Sequence, residues 1–276
     1  MTFKMKYTIN KDYLPVVSKG RRQGIKAKPI KFIVLHDVGN DGQNMNGTTA
    51  RANINYYKNS KNVQASAHTF IDDKEILECI PAVTAAAEKA WHVLYNKTID
   101  NKLYGADAND AAIGVELCYF PKDKARSKAA YDKFVWYCAY LAYYFKLDPA
   151  KCFVGHETLD PGRKVDPTNG LKWIGKTTAQ CIKDIQAEYK ECTGKAVATS
   201  VAKPVATTTE KREPIGTVTI KTATLNVRKS DDVNSAVVKT VKKGEPYKVY
   251  KVGSWGYDVG AGWVSKGTAY VTFKKA

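Results

Sequence analysis

The sequence predicts an α/β domain with a mixed central sheet flanked by helices, followed by a small all-β barrel. Strand-like and helix-like segments alternate through residues 1–193 of the 276-residue chain. Residues 194–214 are small, polar and proline-punctuated, which is typical of a solvated, semi-extended linker. Residues 215–276 consist of short β-rich runs separated by turns, and such a pattern indicates a small barrel.

The strands of the first domain are predicted from apolar runs. Residues 31–36 end a continuous apolar run in a histidine, as expected of a buried strand. Residues 65–80 are predicted to form a hairpin that turns at residues 72–74, and residues 113–120 form another strand. Residues 152–155 are a short strand that leads into a loop. The ends of strands in such a sheet can collect functional side chains.

Three helices are predicted between and after these strands. Residues 48–58 form the first helix, with Thr48 as its N-cap. Residues 128–145 form a strongly apolar helix that stops before Pro149. Residues 177–192 form an amphipathic helix that closes the domain.

The C-terminal part contains six short β-rich runs and no histidine. It has eleven basic and four acidic residues, and we expect it to bind rather than to catalyse. The predicted strands are residues 218–221, 225–228, 236–239, 247–250, 255–259 and 262–264.

The formal charge of +17 favours a polyanionic partner. Nucleic acid, an anionic membrane and a bacterial wall with anionic polymers all fit this charge, and solubility alone is a further explanation. A hydrophobic fraction of 44% with 17 tyrosines and 5 tryptophans excludes a disordered chain.

The N-terminus predicts no signal peptide, because residues 1–7 are followed by polar residues instead of an apolar segment. The longest apolar run, residues 134–145, is shorter than the roughly 20 residues that span a bilayer. We therefore expect a protein without a transmembrane segment that is made in the cytoplasm. Another agent must then release it if its target lies outside.

Six cysteines are scattered through the first domain without any CxxC pair. This spacing matches neither a zinc finger nor a disulfide framework. We predict that most of them are small core residues.

One loop, residues 155–167, carries the densest set of chemically active side chains. His156, Lys164 and Asp166 lie on it between glycines and prolines, and His36 ends the first predicted strand. Two imidazoles and a carboxylate make a three-ligand zinc site with one open position, which is the catalytic arrangement. A lone histidine at a strand end is more often an ordinary polar residue, so spacing alone leaves both interpretations open.

Five segments together resemble zinc-dependent N-acetylmuramoyl-L-alanine amidases, which have the peptidoglycan-recognition-protein-like fold. These amidases are common among phage endolysins and bacterial autolysins. The resemblance covers most of residues 25–190. The segments occur in the family's order and are residues 32–36, 66–72, 90–92, 113–117 and 156–166.

The resemblance implies that His36, His156 and Asp166 are the zinc ligands. Some phage relatives use a cysteine eight residues after the second histidine, where this chain has Lys164. The carboxylate two residues further on resembles the branch of the family that uses aspartate. Zinc in such a site activates water and polarises the scissile carbonyl.

Two charged residues are candidates for catalysis. Glu116 is a carboxylate within an apolar strand and is our candidate general base. Lys164 can place an ammonium where negative charge develops on the carbonyl oxygen. The alternatives are an outward-facing strand carboxylate and a solvated loop lysine.

Four further residues are candidates for substrate binding. His68 lies in a segment that enters near the cleft in similar amidases, and Trp91 and His92 resemble a cleft wall. For both histidines, a packing or hydrogen-bonding role fits as well as substrate contact. Arg163 could grip a carboxylate of the muropeptide.

The C-terminal part resembles bacterial SH3-type wall-binding domains, through residues 225–228, 253–257 and 262–264. Exposed aromatic residues such as Trp255 and Tyr257 could bind wall peptide or glycan, and they could equally be core residues. A wall-binding module on a linker would raise the local concentration of substrate at the catalytic domain.

The resemblance therefore implies an enzyme that hydrolyses the bond between the muramyl lactyl group and L-alanine in bacterial peptidoglycan. The sequence leaves the oligomeric state open, and a monomer is our default expectation. A phage or prophage endolysin that causes host lysis fits best, and a host autolysin is an alternative. A non-catalytic peptidoglycan-recognition protein is disfavoured because the ligand set is complete. Nucleic-acid binding rests on charge alone, and no familiar nucleic-acid motif appears in the sequence.

Overall fold

The computed structural model describes residues 2–39, 45–60, 63–95, 98–194, 213–233, 235 and 237–276. Two compact units, residues 1–202 and residues 203–276, make up the chain. Most of the predicted linker, residues 195–212, lies outside the described residues.

The first unit is built on a six-stranded mixed sheet with the order β1-β4-β3-β5-β2-β6. Strands β3 and β4 are antiparallel, and the other neighbouring strands are parallel. The mixed sheet that the sequence predicts is thus confirmed. The strands are β1 (Ile9–Lys11), β2 (Phe32–Asp37), β3 (Thr69–Ile71), β4 (Ile76–Glu78), β5 (Ala112–Leu117) and β6 (Phe153–Gly155).

Helices cover both faces of this sheet, and short helical turns follow several of its strands. The helices are α1 (Ala50–Asn59), α2 (Thr98–Tyr104), α3 (Ala108–Ala111), α4 (Lys124–Tyr144), α5 (His156–Leu159), α6 (Thr168–Leu171) and α7 (Thr178–Thr193). A single 3₁₀ turn, Lys172–Ile174, lies between α6 and α7.

The N-cap of α1 is Thr49, and the prediction of Thr48 is wrong by one residue. The Thr49 side chain accepts a hydrogen bond from the backbone N–H of Ala52. The Thr48 hydroxyl instead accepts one from the Asn53 side chain. Both threonines can cap a helix, so residue type alone does not decide between them.

Helix α4 forms the centre of the main core. It is apolar around most of its circumference, so it is buried on several sides. Trp136, Tyr137 and Phe134 are fully buried against the sheet and α7. The other face of the sheet packs against α1 through Ala50 and Ile54. Among the described residues, no helix combines the length and hydropathy needed to cross a bilayer.

The predicted hairpin and the predicted cysteine environment are both confirmed. Asp72 closes the β3–β4 turn by accepting hydrogen bonds from the backbone N–H groups of Lys74 and Glu75. All six cysteines are free and buried. Burial raises the pKa of the thiol of Cys181 to about 12, as expected of inert core thiols.

The second unit consists of two antiparallel sheets with the orders β10-β7-β14 and β11-β12-β13-β8-β9. Valines dominate the core between the sheets. The all-β prediction is confirmed, with eight strands where the sequence suggested six. They are β7 (Gly216–Ile220), β8 (Thr224–Arg228), β9 (Val237–Lys242), β10 (Pro246–Val249), β11 (Lys251–Val252), β12 (Gly256–Asp258), β13 (Trp263–Ser265) and β14 (Val271–Lys275).

Candidate metal centre and cleft

The candidate site lies at the carboxyl ends of three neighbouring parallel strands. His36 near the end of β2 pairs in register with Glu116 on β5. His156 directly follows β6, which is the other neighbour of β2. Parallel strands bring their carboxyl ends to one edge of the sheet, so these three side chains reach the same place despite their distance in sequence.

His36, His156 and Asp166 form a buried cluster whose potential ligand atoms all lie within 4.8 Å of one another. Asp166 Oδ2 is 2.9 Å from His36 Nδ1 and 2.9 Å from His156 Nδ1. The three residues predicted to bind zinc are thus close together in the structure. Two imidazole nitrogens and one carboxylate oxygen are a donor set that zinc prefers, so these residues fit the ion.

The electrostatics at His36 and Asp166 favour the protonation states that bind a metal. Burial lowers the pKa of His36 to about 4, so this imidazole is neutral near pH 7. Burial alone would raise the pKa of Asp166, but hydrogen bonds from His156 and His36 hold it below its ordinary value. Neutral imidazoles and an ionised carboxylate are the forms that coordinate a metal.

The loop that carries Asp166 is fastened at both ends. The backbone N–H of Glu157 donates to the carbonyl of Asp166 at 3.0 Å. The Asp37 carboxylate accepts from the backbone N–H of Gly170 at 2.9 Å. Gly170 lies so close to Asp37 that an added Cβ would be 3.1 Å from the Asp37 Cβ. The end of β2 therefore carries His36 and also anchors α6 through the bond between Asp37 and Gly170.

A cleft of about 420 Å³ opens beside the three candidate ligands. Its lining contains nearly all the residues that the sequence singled out in the first domain. They are His36, Trp91, His92, Glu116, His156, Arg163, Lys164 and Asp166.

Glu116 is partly buried in the cleft, and its Oε2 atom is enclosed without a hydrogen-bond partner among the described residues. Burial raises its pKa well above the ordinary value, and repulsion from Asp166 and Asp37 acts in the same direction. Lys164, partly buried in the same lining, opposes that shift. A carboxyl group with a raised pKa and no competing partner can accept a proton from a reacting group.

His68 lies outside the cleft lining and is fully buried. Its Nε2 is 2.9 Å from the carbonyl of Glu88, and its Nδ1 accepts from the backbone N–H of Gly114 at 3.0 Å. Both ring nitrogens are therefore engaged with backbone, with the proton on Nε2. This geometry contradicts substrate contact and supports the hydrogen-bonding alternative.

Trp91 and His92 differ in their surroundings. Trp91 faces the cleft, and the ammonium of Lys89 lies 3.9 Å from the centre of its ring. The same ammonium pairs with Asp110 at 2.6 Å, which fixes the position of Trp91. His92 is more deeply buried, and its Nδ1 is 3.1 Å from His36 Nε2.

Arg163 lines the cleft but is already paired within its own loop. Its Nε donates to Asp160 Oδ2 at 2.6 Å, and Nη2 contacts the same oxygen. Asp160 is buried and Arg163 is half exposed. The guanidinium thus stabilises the loop, and fewer of its donors are available to a substrate than the sequence suggested.

Asn53, Tyr57 and Asn169 are among the cleft residues that escaped the sequence prediction. Asn53 and Tyr57 are four residues apart on α1, and this spacing places both on one face of the helix. The four-residue spacing within a predicted helix was the sequence signal that could have identified Asn53 and Tyr57. Asn169 had no comparable signal, because its place depends on the turn after Asp166.

The two aromatic candidates of the second unit are packed differently. Tyr257 stacks on Phe273 with ring centres 4.7 Å apart, and it contacts the valine core. Trp255 is partly buried and lies on a turn held by Asp231. The Asp231 carboxylate accepts backbone N–H bonds from residues 254–256 and the hydroxyl of Ser254. Trp255 is therefore the better candidate for wall contact.

Comparisons with known proteins point to one family. The family model described as N-acetylmuramoyl-L-alanine amidase matches residues 26–169. The N-acetylmuramoyl-L-alanine amidase CwlA of Bacillus subtilis is 28% identical over 241 residues, which cover 80% of this chain and 76% of that protein. The amidase BlyA of the same species is 32% identical over 152 residues, which cover 52% of this chain and 38% of that protein.

One solved structure resembles the fold over a similar span. The Staphylococcus aureus hydrolase AmiA, solved in complex with its ligand, aligns with a TM-score of 0.51 and 25% identity. The alignment covers 70% of this chain and 89% of that one. Since the family model alone spans just over half of the sequence and includes His36, His156 and Asp166, this chain belongs to the N-acetylmuramoyl-L-alanine amidase family.

Proposed function

We propose that this amidase depends on zinc held by His36, His156 and Asp166. It cuts the amide bond between N-acetylmuramic acid and L-alanine in bacterial peptidoglycan. The observation that carries the metal assignment is the buried cluster of three ligand atoms within 4.8 Å beside an open cleft. Zinc, when bound, supplies the Lewis acid that amide hydrolysis needs near neutral pH.

The protein's own residues divide the remaining chemistry. Glu116 accepts a proton from the attacking water as the new carbon–oxygen bond forms, because its Oε2 has no other partner among the described residues. Glu116 then gives this proton to the leaving nitrogen of L-alanine as the carbon–nitrogen bond breaks. Lys164 contributes positive charge to the cleft, where negative charge develops on the carbonyl oxygen.

The cleft residues also bind and orient the substrate. Trp91, held in place by the Lys89 ammonium, offers a flat apolar surface to the glycan or the first residues of the stem peptide. Arg163 stiffens the loop that carries Lys164 and Asp166. Because these cleft residues are ordered before the substrate arrives, less entropy is lost when the substrate binds.

The second unit serves as a wall-binding module of the SH3 type, with Trp255 as its main contact. A bacteriolytic role, as a phage endolysin, is supported by the combination of an amidase domain, a wall-binding module and a charge of +17. In that role the chain is made in the host cytoplasm and acts on the wall after release. Anionic wall polymers are the second partner that the charge suggests.

The deciding experiment measures the metal content of the purified protein and analyses digested peptidoglycan by mass spectrometry. One aliquot is treated with chelator, and a second is treated and then reloaded with zinc. We expect intact glycan strands and free stem peptides that begin with L-alanine, lost on chelation and restored by zinc. Reducing sugar ends would indicate a glycosidase and contradict the assignment. An inactive but zinc-loaded protein would instead indicate peptidoglycan recognition without catalysis.

A further inference from the structure

A second histidine lies behind the first candidate ligand and forms a hydrogen bond with it. His92 Nδ1 is 3.1 Å from His36 Nε2, and the two rings are perpendicular. Both side chains are buried. The bond therefore lies in a region of low dielectric constant, where a hydrogen bond is strong and a missing partner is costly.

Coordination chemistry fixes the direction of this bond. His36 faces the other two candidate ligands through Nδ1, which is 2.9 Å from Asp166 Oδ2. A neutral imidazole that binds a metal through Nδ1 carries its proton on Nε2. His36 is then the donor and His92 Nδ1 the acceptor, and the proton of His92 is on Nε2, a buried atom without a hydrogen-bond partner among the described residues.

The rest of the structure holds His92 in the orientation that this bond needs. The side-chain oxygen of buried Asn109 accepts from the backbone N–H groups of His92 and Val93, at 2.8 and 2.9 Å. Gly114 on β5 leaves room for the ring. A Cβ added at Gly114 would lie 2.7 Å from His92 Cγ and 2.8 Å from Nδ1. Asn109 and Gly114 thus fix the backbone and the ring of His92.

We propose that His92 is a positioning residue for the zinc site: it accepts the Nε2 proton of His36 and so fixes both the tautomer and the ring orientation of that ligand. This inference rests on the proposed zinc centre. It assigns His92 to the metal side of the cleft and removes it from the substrate contacts. Partners of this kind typically change metal affinity 10–100-fold when they are lost.

The first test uses the wild-type protein loaded with zinc. Long-range ¹H–¹⁵N correlation spectra of the imidazoles report which ring nitrogen carries the proton. We expect His36 and His92 both to be protonated on Nε2 alone. A proton on Nδ1 of His92 would overturn the proposal, because this atom could then no longer accept from His36.

The second test compares zinc dissociation constants of purified variants by competition with a chromogenic chelator. His92→Phe keeps a flat ring but has no acceptor, and we expect zinc binding about 10–100-fold weaker. His92→Asn places an amide oxygen near the position of Nδ1 and should recover most of that loss. As a control, Thr69→Val removes a buried hydrogen bond to Tyr137 without touching a ligand, and it should change zinc affinity less than twofold.

The outcomes distinguish a failure of the positioning role of His92 from a failure of the proposed zinc centre. Wild-type protein that takes up no zinc would refute the proposed centre, and this proposal with it. If the wild type binds zinc, a His92→Phe variant of equal affinity refutes only the positioning role. A loss of affinity in Thr69→Val as large as in His92→Phe would also refute it. If His92→Phe does not fold, the tautomer measurement on the wild type decides.

Discussion

Single side chains in the cleft have separable roles, and Glu116 is the clearest example. It is not among the three clustered ligands, and its Oε2 is enclosed without a partner among the described residues. Metal binding and proton transfer should therefore respond to different substitutions.

We predict that Glu116→Gln keeps zinc but loses turnover by about 10²–10⁴-fold, because an amide of the same shape cannot accept the proton. Peptide release from peptidoglycan and zinc content measured on the same sample check this. Glu75→Gln, a carboxylate that pairs with Arg51 outside the cleft, is the matched control and should keep full activity. Full activity of Glu116→Gln would refute its role as general base.

His68 makes a prediction about stability rather than catalysis. Burial lowers its pKa in the folded protein to about 4, against about 6.5 in an unfolded chain. Between these values the unfolded state binds more protons than the folded state. The free energy of unfolding therefore falls as the pH falls through this window.

The size of that effect can be measured in zinc-free protein. Lowering the pH from 7 to 5 should reduce the contribution of His68 to the free energy of unfolding by about 2 kcal/mol. Urea unfolding of the wild type and His68→Gln at both pH values isolates this contribution as the difference between their pH dependences. Equal dependences would show that His68 titrates normally.

Several residue roles could be predicted from sequence, and others could not. His36, His156 and Asp166 follow from residue type and family spacing, and the structure brings them together. The structural role of His68 was open, because only the fold shows that backbone groups of Glu88 and Gly114 occupy both nitrogens.

At the scale of elements, the turn at residues 254–256 depends on one distant carboxylate. Asp231 accepts three backbone N–H bonds from this turn, and an added Cβ at Gly253 or Gly256 would approach it. Trp255 projects from the same turn. The orientation of the candidate wall-contact residue is therefore set by a residue on another loop.

We predict that Asp231→Ala loosens this turn and lowers the thermal stability of the second unit, because its backbone donors lose their acceptor. The fluorescence of Trp255, measured in a chain whose other four tryptophans are replaced by phenylalanine, should shift to the red. Asp231→Asn keeps one acceptor oxygen, so its Trp255 emission maximum should lie between those of the wild type and Asp231→Ala. An unchanged spectrum in Asp231→Ala would contradict this role of the carboxylate.

The elements that the sequence predicted correctly are those with long apolar runs. Strand β2 and helix α4 belong to this class, and their burial explains the match. Strand β1 and helix α2 were missed because they are short and mostly polar. Such segments adopt their structure through tertiary contacts, as β1 does by pairing with β4, and not through local preference.

At the scale of the whole molecule, charge and division into units act together. The chain carries a net charge of +17, and residues 215–276 alone have eleven basic and four acidic residues. Both units should therefore be attracted to a wall rich in phosphate or carboxylate.

We predict that binding of the full chain to isolated walls weakens as salt rises from 50 to 500 mM, because exposed charges are screened. Co-sedimentation of the protein with the isolated walls measures this binding. Walls stripped of anionic polymers should bind less protein and show little salt dependence. Trp255→Ala should weaken binding to stripped walls as well, since its contact does not depend on charge. Equal salt dependence on both kinds of wall would exclude the polymers as a partner.

The placement of the candidate ligands has a consequence for how the chain matures. His36 and Asp166 are 130 residues apart in sequence, and only the pairing of β2 with β6 and the closure of the following loop bring them together. A ribosome must have released nearly the entire domain before the ion can be captured. Contacts of such long sequence separation form slowly. Metal uptake by the proposed zinc centre is therefore expected late in the folding of the first unit, and a bound ion would then favour the folded state by mass action.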